Sequence, residues 1–139
     1  MKIACQQTYA TLCVHSDTEP RLSEVMKEIA GLTASRTVEN KLRSFGGFPI
    51  PRYGWFLTSK EEVDSLDVAD HIYWLCQKIE DPAVMVGLSS KYDISLSCFW
   101  SSDGGGGGPV IPKKLLSELA QLGIDLDFDI YLGSDEPRH

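Results

Sequence analysis

The chain of 139 residues has no run that approaches the about 18 consecutive apolar residues of a membrane-spanning helix. It also lacks an excess of positive charge: 13 Lys and Arg stand against 20 Asp and Glu, a formal net charge of -7. Nucleic acid and anionic membranes both reward clustered Lys and Arg, so neither is expected as the main partner, whereas a basic protein partner suits the charge. There is no C-x-x-C pair among Cys5, Cys13, Cys76 and Cys98, and no histidine stands at zinc-site spacing from them. They read as small buried residues in a reducing compartment, and no metal or other cofactor is implied. No nucleophile, base and oxyanion donor form a recognisable constellation, so the expectation is a cytoplasmic, non-catalytic protein.

What is present is a well-punctuated alternation of strands and helices. With 42% hydrophobic residues, the chain is long enough to bury a core as a single domain over 1–139. Gln6 to Ser16 alternates as a strand. Asp17 or Thr18 then offers a cap and Pro20 a first turn, and Leu22, Val25, Met26 and Ile29 recur at helical spacing before Gly31. The stretch 33–51 has neither period, carries Gly46, Gly47, Pro49 and Pro51, and concentrates Arg36, Lys41 and Arg43, with Arg52 just beyond it. It is expected to be a long functional loop, with room for a short edge strand near Arg36 to Val38.

Tyr53 to Thr58 reads as the next strand, and Ser59 with Glu62 fits a capping box that opens a helix running to Ile79, with a second cap available at Asp67. One further helical turn is expected within 83–90. The closing third is a strand from Asp93 to Trp100, a glycine-rich loop, a helix from Pro112 to Leu122 with Leu115, Leu116, Leu119 and Leu122 as its stripe, and a strand from Ile124 to Leu132. In that last strand Ile124, Leu126, Phe128, Ile130 and Leu132 share one face, expected in the core, and Asp125, Asp127, Asp129 and Tyr131 share the other. The pattern implies an α/β (α+β) two-layer sandwich: a mixed sheet of at least four strands, helices on one face, and two βαβ-like units.

Five segments, in order along nearly the whole chain, carry a resemblance. These are Thr8 to Leu12 (TYATL), Gly31 to Thr37 (GLTASRT), Tyr53 to Ser59 (YGWFLTS), Asp70 to Ile72 (DHI) and Leu122 to Tyr131 (LGIDLDFDIY). Together they resemble the domain of unknown function 4279 family, with Ala34 standing where members often carry proline. The resemblance implies a small bacterial α/β protein and supplies no catalytic residues to carry over. By analogy with other small families of this style, it suggests an immunity protein that neutralises a toxin.

The candidate partner-binding residues are therefore Asp125, Asp127, Asp129 and Tyr131 on the last strand and Arg36 and Arg43 in the basic stretch. The alternative is a small hydrolase or metal-dependent enzyme that joins the aspartate row to His15 or His71, because paired carboxylates can do acid-base work or bind a divalent cation. His71 has Asp67 and Asp70 nearby, with Ser65 or Cys76 as nominal nucleophiles. A row of charge on a strand is more commonly a solvated face. The run Gly104 to Gly108 before Lys113 and Lys114 lacks the ending of a phosphate loop, and Pro109 and Pro112 remove amides that would cradle an anion. Trp55 and Trp100 are expected at the core, and Trp74 nearer the surface.

Overall fold

The computed structural model describes residues 5–45, 48–104 and 107–133, with the backbone alone for 40–45 and 48–51. Strands β1 (Cys5–Ser16), β2 (Arg36–Phe45), β3 (Phe48–Thr58), β4 (Asp93–Ser102) and β5 (Asp125–Leu132) form one open sheet in the order β2-β3-β1-β4-β5. Four helices pack on it: α1 (Leu22–Val25), continued by a π-helical turn over Met26–Ala30, then α2 (Val68–Lys78), α3 (Pro82–Ser89) and α4 (Lys113–Leu122). This is the expected mixed sheet with a helical layer.

The two cassettes differ in topology. β4, α4 and β5 make a βαβ unit of adjacent parallel strands. In the opening cassette β3 is antiparallel to both β1 and β2, so β1 and β2 run parallel around α1 with β3 inserted between them.

The core lies between sheet and helices. Ala10, Leu12 and Val14 of β1, Trp55 of β3, and Ile94, Leu96 and Cys98 of β4 meet Met26, Ile72, Leu75, Met85, Leu115 and Leu119 from the helical layer. Trp100 is buried as expected. Trp74 is half-buried, with the Lys78 ammonium 4.7 Å from its ring centre. Among the described residues the Trp55 indole N–H has no hydrogen-bond partner despite complete burial, a local cost on the order of 1 to 3 kcal/mol that its packing must offset.

Several expectations are corrected. The stretch 33–51 is not one long loop: the edge strand expected near Arg36 to Val38 is present but runs on to Phe45, and β2 and β3 form a long hairpin from Arg36 opposite Phe56 to Phe45 opposite Phe48, with a register shift between Asn40 and Arg43. Pro49 and Pro51 disguise it. β1 ends at Ser16 opposite Tyr53, so residues 48–52 have a sheet neighbour on one side only, the setting in which a strand tolerates proline.

In α1 the π turn departs from the 3.6-residue period, which leaves Ile29 exposed while Leu22 and Met26 are buried. Asp17 and Thr18 do not cap it. Instead Ser16 Oγ accepts from the amides of Thr18 and Glu19 at 3.1 and 3.0 Å, and the helix starts after Arg21. The extra turn expected within 83–90 is a full helix, α3, capped by Asp81, whose carboxylate accepts from the Ala83 amide.

The largest correction concerns β5. Ile124 is buried, but Phe128 and Ile130 are each 43% exposed, and Leu116 of α4 is exposed as well. α4 ends at Gly123, whose left-handed φ of 74° turns the chain straight into β5. The helix therefore covers only the beginning of this edge strand, and the apolar row emerges from beneath it. Phe128→Ala should accordingly cost no more than about 1.5 kcal/mol, whereas Ile72→Ala, at a fully buried position, should cost about 2 to 5 kcal/mol. Urea denaturation of the two variants checks the contrast, and equal losses would contradict this placement of β5.

Candidate functional site

Side chains opposite one another on paired strands share a face, so the registers map the helix-free side of the sheet row by row. One row crosses all five strands: Asp125, Ser95, Cys13, Phe56 and Arg36. A second holds Asp127, Ser97, Thr11 and Thr58, and a third Asp129, Phe99 and Tyr9. Tyr131 lies one step beyond, opposite Ser101. Arg36 and the three aspartates, read from sequence as two separate surfaces, thus stand at opposite edges of the same face. At strand spacings of about 4.8 Å the two edges are roughly 19 Å apart. Arg43 lies in β2 opposite Ile50, and its side chain is outside the described residues.

Two aromatic groups stand on this face around a floor of small side chains, Thr11, Cys13, Ser95 and Ser97. At one end Tyr9 stacks on Phe99 at 4.9 Å and 14°, and Phe99 meets Tyr131 at 5.5 Å. The Lys60 ammonium lies 5.2 Å from the Tyr9 ring centre. At the other end the Arg36 guanidinium sits 4.4 Å from the Phe56 ring centre, and His15 meets the Phe56 ring edge-on at 5.4 Å. Gly54 makes that second group possible, since a Cβ there would lie 2.9 Å from the Phe56 ring. Arg52, half-buried nearby, bonds Asp17 at 2.9 Å and Asp93 at 3.3 Å. Arg52 was named from the sequence only with the basic stretch, and Tyr9, Phe99 and Phe56 were not singled out as surface residues. The alternation of β1 and β4 for Tyr9 and Phe99, and of β3 for Phe56, is the signal that could have found them.

The electrostatics of the face run from one edge to the other. Burial pushes the Cys13 thiol up to about 11; the Asp127 charge adds to this and Arg36 opposes it. Such a thiol is protonated at neutral pH and a poor nucleophile. The charge of Asp129, with its hydrogen bond, raises the Tyr131 phenol. Burial, then the Arg52 charge, lowers His15 below its ordinary value, with Asp93 and Asp17 acting the other way.

A family model described as Domain of unknown function (DUF4279) matches residues 7–133, and so takes in most of the sheet and the whole helical layer. The chain belongs to the DUF4279 family. No curated protein and no solved structure matches it.

In this DUF4279 chain, three of the segments that carry the resemblance, TYATL, YGWFLTS and DHI, meet inside the fold. Ser59, at the end of YGWFLTS, has no exposed surface, and its hydroxyl lies 2.7 Å from Nδ1 of His71 in DHI. The Ala10 amide donates to the same hydroxyl at 2.9 Å, and His71 Nε2 lies 2.8 Å from the Ser65 carbonyl. A carbonyl only accepts, so Nε2 carries a proton, and in the neutral ring Ser59 is the donor to Nδ1.

This network explains the missing capping box. The Ser59 hydroxyl is committed to β1 and α2, so the segment after it makes only one turn, with Glu61 at a left-handed φ of 69°. α2 begins instead at Val68, where the Asp67 carboxylate accepts from the Ala69 amide. Asp70 accepts from Ser65 Oγ at 2.7 Å, so neither nearby carboxylate orients His71.

Among the described residues the aspartate row is not joined to a histidine. His71 lies in the helical layer on the other side of the sheet, and His15 is opposite Gly54 and Asp93, four residues along β1 from Thr11 in the Asp127 row. Among the described residues no three His, Cys, Asp or Glu side chains are grouped to hold a metal ion. Nor is any helix there long and apolar enough to cross a membrane. The nucleotide-loop question falls partly on Gly105 and Gly106, which lie outside the described residues.

Ser59→Ala should destabilise the fold by about 2 to 3 kcal/mol, because it strands the Ala10 amide and His71 Nδ1 without partners; thermal and urea unfolding measure it. The depressed His15 gives a pH dependence of known sign. Its neutral form favours folding above the unfolded-state value of about 6.5, and that contribution is lost as pH falls through the lower folded-state value. His15→Gln should therefore flatten the decline in unfolding free energy between about pH 7 and 5, whatever its effect at neutral pH.

Proposed function

We propose that this chain is a non-catalytic protein-binding domain of the cytoplasm whose open sheet face meets a basic protein partner. The observation that carries the reading is the opposition of charge across one helix-free surface, with Asp125, Asp127 and Asp129 along one edge and Arg36 at the other. Beside Asp129 on the same face, the Tyr9, Phe99 and Tyr131 group offers flat, rigid contact area of the kind that dominates binding energy at protein interfaces. Complementary charge would supply register and association rate. A toxin neutralised by this chain as its immunity protein fits that partner chemistry.

Affinity purification from the native cell tests the proposal with three baits: wild type, Asp127→Lys and Phe99→Ala. Wild type should retain a basic protein that Asp127→Lys loses. Phe99→Ala should weaken its binding by about ten-fold or more, the scale of an aromatic interface anchor. If all three baits recover the same proteins, or none, the open face is not the binding surface.

A further inference from the structure

We propose that the free edge of β5 is a strand-addition site for an extended partner segment in which basic and apolar residues alternate. The inference rests on the reading of the open face as a partner surface and names how the partner is held. β5 pairs with β4 along one edge, and among the described residues no strand pairs with the other. Its eight residues run without a register shift, so roughly 26 Å of regular backbone presents unpaired donors and acceptors. The opposite edge of the sheet, β2, is interrupted by the irregularity between Asn40 and Arg43, a device that blunts pairing.

The side chains of β5 state which strand would fit. Phe128 and Ile130 stand 43% exposed on the helix side, while Asp125, Asp127 and Asp129 stand on the open side. Residues directly opposite in an added strand share a face with their β5 neighbours, so the period of two in β5 imposes the same period on its partner. Lys or Arg would lie against the aspartates, and apolar side chains against Phe128 and Ile130.

A second copy of this chain fits poorly. Any pairing of β5 with β5 that sets apolar row against apolar row also sets aspartate row beside aspartate row. The acidic row therefore selects among partners: it repels the protein's own edge and attracts a basic one.

The test uses the full chain and a fluorescein-labelled eight-residue peptide alternating Lys and Val, beside the same peptide N-methylated at alternate residues so that charge is kept and ladder hydrogen bonds are lost. Fluorescence anisotropy should show the unmethylated peptide binding at least about ten-fold more tightly. Amide hydrogen exchange should show new protection confined to β5 and the adjoining β4. Equal binding of the two peptides overturns the proposal. So does the absence of binding up to about 1 mM, protection at β2 instead, or a β5 already protected by self-association without peptide.

Phe99→Ala and Arg36→Glu separate this proposal from the one beneath it, because they change the open face and leave the β5 backbone intact. If they abolish capture of the native partner while both peptides bind alike, the face stands and the edge falls. If N-methylation abolishes peptide binding while capture is unchanged, the edge stands and the face falls.

Discussion

The whole arrangement depends on β1 being hydrogen-bonded along both of its edges. Antiparallel to β3 on one side and to β4 on the other, it fixes the registers from which the rows of the open face follow. Its alternation sends Ala10, Leu12 and Val14 into the core and Tyr9, Thr11, Cys13 and His15 to the opposite side. A slip of one residue would exchange these sets and place the His15 ring among the core side chains. Ser59 reinforces the register: its amide donates to the Ala10 carbonyl at 2.9 Å while its hydroxyl accepts from the Ala10 amide.

Elements whose own residues carry an uninterrupted period were legible. β1, β4 and β5 showed their period of two directly, and α4 announced itself through Pro112, the Leu115, Leu119 and Leu122 stripe, and Gly123. Beyond the short edge strand expected near Arg36 to Val38, the hairpin was hidden because Pro49 and Pro51, at the start of β3, argue locally against a strand, an objection that fails once β1 is seen to stop at Ser16. The Ser59 capping box was a sound local inference that lost to a tertiary competitor, since the same hydroxyl satisfies buried groups of β1 and α2. The exposure of Phe128 and Ile130 in β5 could not be anticipated either, because periodicity identifies a face but not how far a covering helix extends.

The candidate surface was legible in its parts and not in its assembly. Asp125, Asp127 and Asp129 were visible as a row, and Arg36 as part of a basic segment. That both look out from one side of the sheet depends on strand order, which is set by pairings between residues tens of positions apart. The aromatic stack from Tyr9 through Phe99 to Tyr131 is of the same kind, since it joins three strands drawn from both ends of the chain.

The long reach of β1 also bears on how the chain acquires its shape. The bond from Thr8 Oγ1 to the Phe99 carbonyl closes a span of 91 residues, and every rung of the β1 and β4 ladder closes a comparably distant pair. During synthesis the first strand made is thus the one that waits longest for its second neighbour. Until β4 leaves the ribosome, the nascent chain holds β1 with one open edge and with Leu12 and Val14 lacking much of their cover. Such non-local closure slows folding and prolongs exposure to aggregation, and the sheet cannot be completed before residues 93–102 reach a strand made long before.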